Sequence, residues 1–159
     1  MATSTIPNVK ALLEARLLAD AAIGAAAVPV QVSYGVWHAG LDKEVVLLGD
    51  TRTDGENSAS FGNGRRDEAY QLEVRIRVVA PAREPQKTVT ERAFAITAAV
   101  ENSVRVWGTE SPAFGGTVAS GGCMHWVLVV AVDHKELLHE ASQERSAEVT
   151  IQLACKARI

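Results

Sequence analysis

The chain has 159 residues, which is a usual length for one domain and enough to bury a core without disulfides or bound metals. Its composition, 47% hydrophobic and 22% charged, is that of an ordinary globular protein, and with only 5% aromatic residues the core must consist mostly of Val, Leu, Ile and Ala. The net charge of −3 argues against a dedicated nucleic-acid-binding protein, because phosphate neutralisation needs an excess of Lys and Arg, but it does not exclude a surface that DNA merely passes.

The N-terminus shows no pattern of an export signal. Residues Met1–Thr5 are uncharged, and polar side chains interrupt the segment that follows. No apolar stretch approaches the roughly 18 residues that a membrane helix needs. Without an export signal, we expect Cys123 and Cys155 to be reduced, buried thiols in a cytosolic protein.

The first third of the chain predicts one helix and two strands. The helix begins near Pro7, and a strand covers about Val30 to Val36, after the proline that suits a strand start or edge. A second strand covers Glu44 to Leu48 and ends in a turn over Gly49 to Gly55. The helix is predicted from apolar residues at helical spacing, which are Val9, Leu12, Leu13, Leu17 and Ala21.

The segment from Arg52 to Glu68 predicts a long loop within the domain. It has three glycines and almost no aliphatic residue, and loops of this length are either functional or disordered. Asn63-Gly64 is typical of a hairpin tip, so the segment is expected to be a flexible hairpin that projects roughly 25 Å at about 3.3 Å per residue.

The base of this loop carries the charged quartet Arg65, Arg66, Asp67 and Glu68. The basic pair is neutralised by the acidic pair that follows it. One interpretation is a solvated loop base, and the other is a set of salt bridges to an adjacent subunit.

The segment from Tyr70 to Val79 is the strongest strand prediction in the chain. Its residues alternate with period two, which buries one face and leaves the other polar. The apolar set is Tyr70, Leu72, Val74, Ile76 and Val78, and the polar set is Gln71, Glu73, Arg75 and Arg77. The polar row is either a solvated face or a surface that meets a neighbouring subunit.

A second helix is predicted after Pro85. Thr88 and Glu91 have the spacing of a capping box, which would place the helix start at Thr88. Gly108 is expected to end the helix. An apolar stripe indicates the buried face and consists of Val89, Ala93, Ile96, Val100, Val104 and Trp107.

The last third of the chain predicts two strands. After a glycine-rich connection over Thr109 to Gly122, the near-continuous apolar run His125 to Val132 is typical of a central strand buried on both faces. A polar connector follows over Asp133 to Ser146, and Glu148 to Arg158 alternates again.

These elements together predict one α+β domain over residues 1–159. We expect a single, mostly antiparallel sheet of about four to five strands, with two helices packed on one face and the long loop or hairpin projecting from it.

No pattern in the sequence predicts catalysis, a cofactor or a metal. His-Glu-x-x-His and Cys-x-x-Cys motifs are absent, and His134 and His139 are spaced wrongly to share one helical face. The glycine pairs lack the Lys-Ser/Thr that completes a phosphate-binding loop. We therefore expect a protein that is not an enzyme and that has no catalytic, cofactor or metal site.

From Val28 to Val106 the chain resembles the tail terminator proteins of long non-contractile-tailed bacteriophages, particularly those of actinobacterial hosts. The resemblance rests on motifs in a fixed order, which are Val28-Pro29-Val30, the strand Glu44 to Gly49 with the turn Asp50 to Gly55 after it, the quartet Arg65 to Glu68, the strand Tyr70 to Val79, and the helix that starts at Thr88 and includes Phe94.

The resemblance implies a virion protein that forms a homohexameric ring on the head-proximal end of the tail tube. Such a ring stops tube polymerisation and offers a surface for head–tail joining. The implied partners are other copies of the chain, the major tail tube protein and a head-side connector or completion protein, while genomic DNA passes through the lumen without sequence-specific binding. No membrane is involved, and assembly takes place in the host cytoplasm.

The expected subunit or partner interface consists of charged residues, which are Arg65, Arg66, Asp67, Glu68, Glu73, Arg75 and Arg77. Two alternatives stay open. One is another neck component, such as a head-completion or connector protein, and the other is a small-molecule-binding or enzymatic α+β domain.

Overall fold

The computed structural model describes residues 4–35, 43–53, 67–110, 117–119, 122–139 and 142–158. Its elements in chain order are α1 (Ile6–Ala19), β1 (Gln31–Tyr34), β2 (Glu44–Thr53), β3 (Asp67–Pro81), α2 (Gln86–Trp107), β4 (Thr117–Ala119), β5 (Gly122–His139) and β6 (Glu144–Arg158). Neither helix is long and apolar enough to cross a membrane.

The described strands form one sheet in the order β1-β2-β3-β6-β5-β4, in which only the β1–β2 pair is parallel. Both helices pack in the same core cluster against one face of this sheet. In the predicted α1 stripe Leu12 is only partly buried and Ala21 is exposed, because α1 ends at Ala19. The predicted α+β class, with a mostly antiparallel sheet and two helices, is confirmed. Of the six strands, β4 has only three residues.

Strand β3 organises the core as its alternation predicts. Tyr70, Leu72, Val74, Ile76 and Val78 are all buried, and the residues between them are half-buried on the other face. The strand is longer than predicted, because β6 pairs with it in unbroken register from Asp67↔Arg158 to Pro81↔Glu144.

Helix α2 confirms the predicted apolar stripe, all six members of which are buried, and ends at Gly108 as expected. The predicted capping box is wrong. The helix begins at Gln86, and the Pro85 carbonyl already accepts the Thr88 N–H at 3.0 Å, so Thr88 lies inside the first turn. Glu91 lies 3.6 Å from Lys87 instead.

Strand β2 continues to Thr53, so the predicted turn is wrong for residues 49–53. The pairing of β2 with β3 shifts in register between Leu48 and Thr51, and this irregularity accommodates Gly49 within the strand. Gly49 packs closely on β3, since a Cβ at this position would lie 3.3 Å from the Glu73 carboxylate. The Gly49 carbonyl accepts a hydrogen bond from Lys10 at 2.9 Å. Most of the predicted long loop, residues 54–66, lies outside the described residues.

Strand β5 differs most from the sequence prediction. It is not a central strand buried on both faces but an outer one, and the predicted polar connector is wrong for residues 133–139 and 144–146, which are strand. The ladder with β6 carries β5 through this polar stretch, from Asp133↔Thr150 to His139↔Glu144, because backbone pairing does not depend on side-chain polarity.

Candidate docking surface on strand β5

Strand β5 exposes more large apolar side chains than any other described element. Its exposed fractions range from 37% for Trp126 to 56% for Leu128. We call this surface the β5 edge, and it consists of Trp126, Leu128, Val130, Val132, Leu137 and Leu138. Scattered apolar residues at a surface need no explanation, but six on one outer strand indicate a binding surface. The β5–β6 register places Trp126 and Leu128 on the sheet face away from the helices and Val132 on the helix face, so the β5 edge includes side chains from both faces.

The position of β5 in the sheet accounts for this exposure. The short β4 pairs with β5 only at Gly122 and Cys123, so no strand among the described residues pairs with the rest of its outer edge. An open edge of this kind is a surface that proteins normally cover or protect with charges.

Two register shifts shape the first half of β5. They fall between Met124 and Trp126 and between Val129 and Ala131. Such bulges bend a strand and interrupt its ladder. Contact along this half is therefore expected to use side chains, whereas the regular half after Ala131 also offers backbone groups.

Helix α2 forms one wall beside the β5 edge. The Phe94 ring lies 5.1 Å from the His134 ring, and Thr90 donates a hydrogen bond to Glu136 at 2.5 Å. Further along, helix and strand enclose a groove of about 230 Å³ lined by Glu101, Val104, Arg105, Val127, Leu128 and Val129. The groove joins an apolar floor to charged residues at its rim, which is the usual composition of a protein-binding surface.

The predicted charged row lies on the sheet face opposite the helices. Glu73 forms an ion pair with Arg75 on its own strand and accepts a hydrogen bond from Gln152 at 3.3 Å. Arg77 is half-buried and lies opposite Glu148 in the β3–β6 register. These three residues do share one face, but at least Glu73 and Arg75 have partners within the subunit.

Of the charged quartet, Arg65 and Arg66 lie outside the described residues, and Asp67 is half-buried at the start of β3. Glu68 has a role inside the subunit. It is buried, and its carboxylate accepts hydrogen bonds from the Thr5 N–H at 2.7 Å, the Thr5 hydroxyl at 2.6 Å and the Ser4 hydroxyl at 2.6 Å.

This contact fastens the start of α1 to β3. A carboxylate at a helix N-terminus satisfies backbone donors that have no partner within the helix and interacts favourably with the helix dipole. The neighbouring Tyr70 hydroxyl lies 3.5 Å from the Thr5 hydroxyl, and burial raises the pKa of Tyr70.

One feature of the sequence does indicate the β5 edge. A strand buried on both faces would not continue directly into Asp133, His134, Lys135 and Glu136, since buried charges need partners. An apolar run that passes into ionisable residues without a turn signal is more consistent with a strand that leaves the core.

The described residues bring together no cluster of three His, Cys, Asp or Glu side chains that could hold a metal ion. Cys155 is buried, and burial raises the pKa of its thiol to about 12, which suits a structural cysteine better than a nucleophile. His139 lies 3.1 Å from the Ser146 hydroxyl, whereas His38 is outside the described residues.

Comparisons with known proteins show a likeness to solved structures. No protein-family model matches the chain, and no curated protein matches it. Among solved structures, the chain is similar to a protein of the virion of a native gene transfer agent (GTA) particle, with a TM-score of 0.64 and 18% sequence identity, over 98% of this chain and 99% of that one. The two proteins share their fold over nearly their whole lengths.

Proposed function

We propose that this protein is a structural subunit of a phage-type virion, in which it assembles as a homohexameric ring and caps the head-proximal end of the tail tube. The observation that carries the proposal is the β5 edge, an apolar surface that a monomer would leave in water. The shared fold with a GTA virion protein and the resemblance to tail terminators support the same class of protein.

The proposed ring works by docking rather than by chemistry. Its tube-facing side occupies the end of the tail tube and stops further addition of the major tail tube protein, and its other side binds the head-side connector. A net charge of −3 gives little attraction for phosphates, so DNA moves through the lumen without being held.

Asp67, Glu73, Arg75 and Arg77 are proposed as a second partner-facing surface on the opposite sheet face. Arg65 and Arg66, which lie outside the described residues, are proposed as further interface residues. Reversing Arg75 and Arg77 to Glu should weaken ring formation and leave the monomer folded, because both side chains are half-buried and outside the helix-side core. Normal ring assembly by this double variant would mean that the row is a solvated face.

Deletion of the gene tests the proposed position of the ring. Without the terminator, tails should have irregular lengths and should fail to join heads, and the wild-type gene supplied in trans should restore both. Tails of uniform length in the deletion strain, seen by electron microscopy, would contradict the proposal.

Another neck component, such as a head-completion or connector protein, is the second candidate. The shared fold supports it equally, because the GTA likeness concerns a virion particle and no position within it. In that case the deletion strain should make tails of normal length, while filled heads lose DNA. No contact among the described residues supports a small-molecule-binding or enzymatic role.

A further inference from the structure

We infer that the β5 edge of one subunit packs against the opposite edge of the sheet in a second copy of this chain. That opposite surface, which we call the α1–β1 edge, consists of Leu18, Val28 and Tyr34. The inference rests on the proposed ring and identifies the two surfaces that would form its subunit contact.

The first argument is where the exposed large apolar side chains lie. Apart from Phe94, which contacts β5, and Val106 on α2, those of the described residues fall on just two surfaces, the β5 edge and the α1–β1 edge. The sheet order places β1 at one end and the β5–β4 pair at the other. Two different apolar surfaces on one chain are what a head-to-tail contact requires.

Helix geometry relates two members of the α1–β1 edge, Leu18 and Tyr34. Lys10 on α1 lies 4.3 Å above the Tyr34 ring, whereas Arg16 turns towards α2 and hydrogen-bonds Ser103. Leu18 follows Lys10 by eight residues, which places it within about 80° of Lys10 around the helix and on the side away from α2. Leu18 and Tyr34 therefore face the same outer edge.

The symmetry of a ring selects this pairing over a β5–β5 contact. A contact between two copies of the same surface is two-fold and closes at a dimer. A contact between two different surfaces leaves one of each free at every addition, until the ring closes. Only the second type can build the proposed hexamer.

The available area fits a weak to moderate contact between subunits. Strand β5 has 18 residues and is roughly 60 Å long at about 3.3 Å per residue. A strip about 10 Å wide along the part beyond β4 covers roughly 500 Å², and the neighbouring wall of α2 brings it towards the roughly 800 Å² per partner of a stable interface.

Three exposed valines provide a matched test. Val130→Lys alters the β5 edge, Val28→Lys alters the α1–β1 edge, and Val106→Lys changes the exposed valine on α2 that belongs to neither; their exposed fractions are 53%, 74% and 42%. Circular dichroism and thermal unfolding check that each variant is folded. Assembly is measured by sedimentation velocity in solution and by electron microscopy on purified tail tubes.

The inference predicts that Val130→Lys and Val28→Lys each weaken self-association about tenfold or more, whereas Val106→Lys assembles like the wild type. An equimolar mixture of Val130→Lys and Val28→Lys should form dimers and nothing larger, because the intact edge of each variant fits the intact edge of the other.

Three results would overturn the inference. They are a Val28→Lys variant that assembles like the wild type, a mixture that stays monomeric, and a wild-type protein that is monomeric both in solution and on tail tubes. The gene-deletion experiment separates this failure from failure of the proposed function. If the deletion strain makes irregular tails but the protein does not self-associate, the proposed function is supported and the inferred contact is refuted. If the protein forms rings in solution but the deletion strain makes normal tails, the contact is supported and the proposed function is refuted.

Discussion

Replacement of Glu68 by Ala should destabilise the subunit by about 4 kcal/mol. The carboxylate accepts three hydrogen bonds, and each hydrogen bond to a charged group contributes about 1.5–3 kcal/mol. Its removal also leaves the buried N–H and hydroxyl of Thr5 without their acceptor. We take a value just below the lower end of this sum because burying the wild-type charge already costs free energy and because Ser4 is half-buried.

This loss is a large fraction of the roughly 5–15 kcal/mol by which a domain is stable. For a domain of this size it corresponds to a fall in melting temperature of about 8–16 °C. Urea unfolding followed by circular dichroism gives the free energy, and a scanning experiment gives the melting temperature. Glu68→Gln keeps one acceptor oxygen and should lose about half as much.

Glu91→Ala is the matched control, because Glu91 is an exposed helix carboxylate whose nearest partner, Lys87, lies 3.6 Å away. It should change stability by no more than about 0.5 kcal/mol. If Glu68→Ala unfolds within about 1 kcal/mol of the wild type, the proposed fastening of α1 to β3 is refuted. If ring assembly then falls at unchanged stability, Glu68 belongs to the subunit interface after all.

Three further predictions concern the packing of the subunit. Gly24→Ala should cost about 1–3 kcal/mol in urea unfolding, because the new Cβ would overlap the backbone of Leu18. Arg92→Ala should cost about 1 kcal/mol and Arg92→Lys should restore only part of it, since the guanidinium forms two hydrogen bonds with Glu44, at 2.8 and 2.6 Å. Burial raises the pKa of the Cys155 thiol to about 12. The preference of the folded state for the neutral thiol therefore contributes fully to stability below about pH 9, and this contribution falls as the pH rises towards 12. The urea midpoint should decline over this pH range, and it should decline less steeply in Cys155→Ala.

The interface predicted from the sequence is charged, whereas the interface proposed from the structure is apolar. Sequence patterns drew attention to a charged row, because Glu73, Arg75 and Arg77 stand out on an otherwise apolar strand. In the structure Glu73 and Arg75 pair with each other, and exposed ion pairs of this kind contribute little free energy. The larger contribution to association is expected from apolar area removed from water, which the β5 edge supplies.

The buried faces of β3 and α2 can be predicted from the sequence alone, because their apolar residues recur at regular spacing along the whole element. The alternation of β3 and the stripe of α2 each define a buried face without reference to any neighbour, because side-chain direction follows directly from strand or helix geometry. The same reasoning led to the α+β class.

The position of β5 in the sheet and the hydrogen-bond partners of Glu68 could not be predicted from the sequence and follow from the fold. A run of apolar residues has the same pattern at the centre of a sheet as at its edge, and the difference depends on which strands pair beside it. The Glu68 contact joins residues more than sixty positions apart, and no local pattern encodes such a pairing. The exposure of β5 follows from the strand order, and the contacts of Glu68 follow from the packing of α1 on the sheet; no single segment contains either.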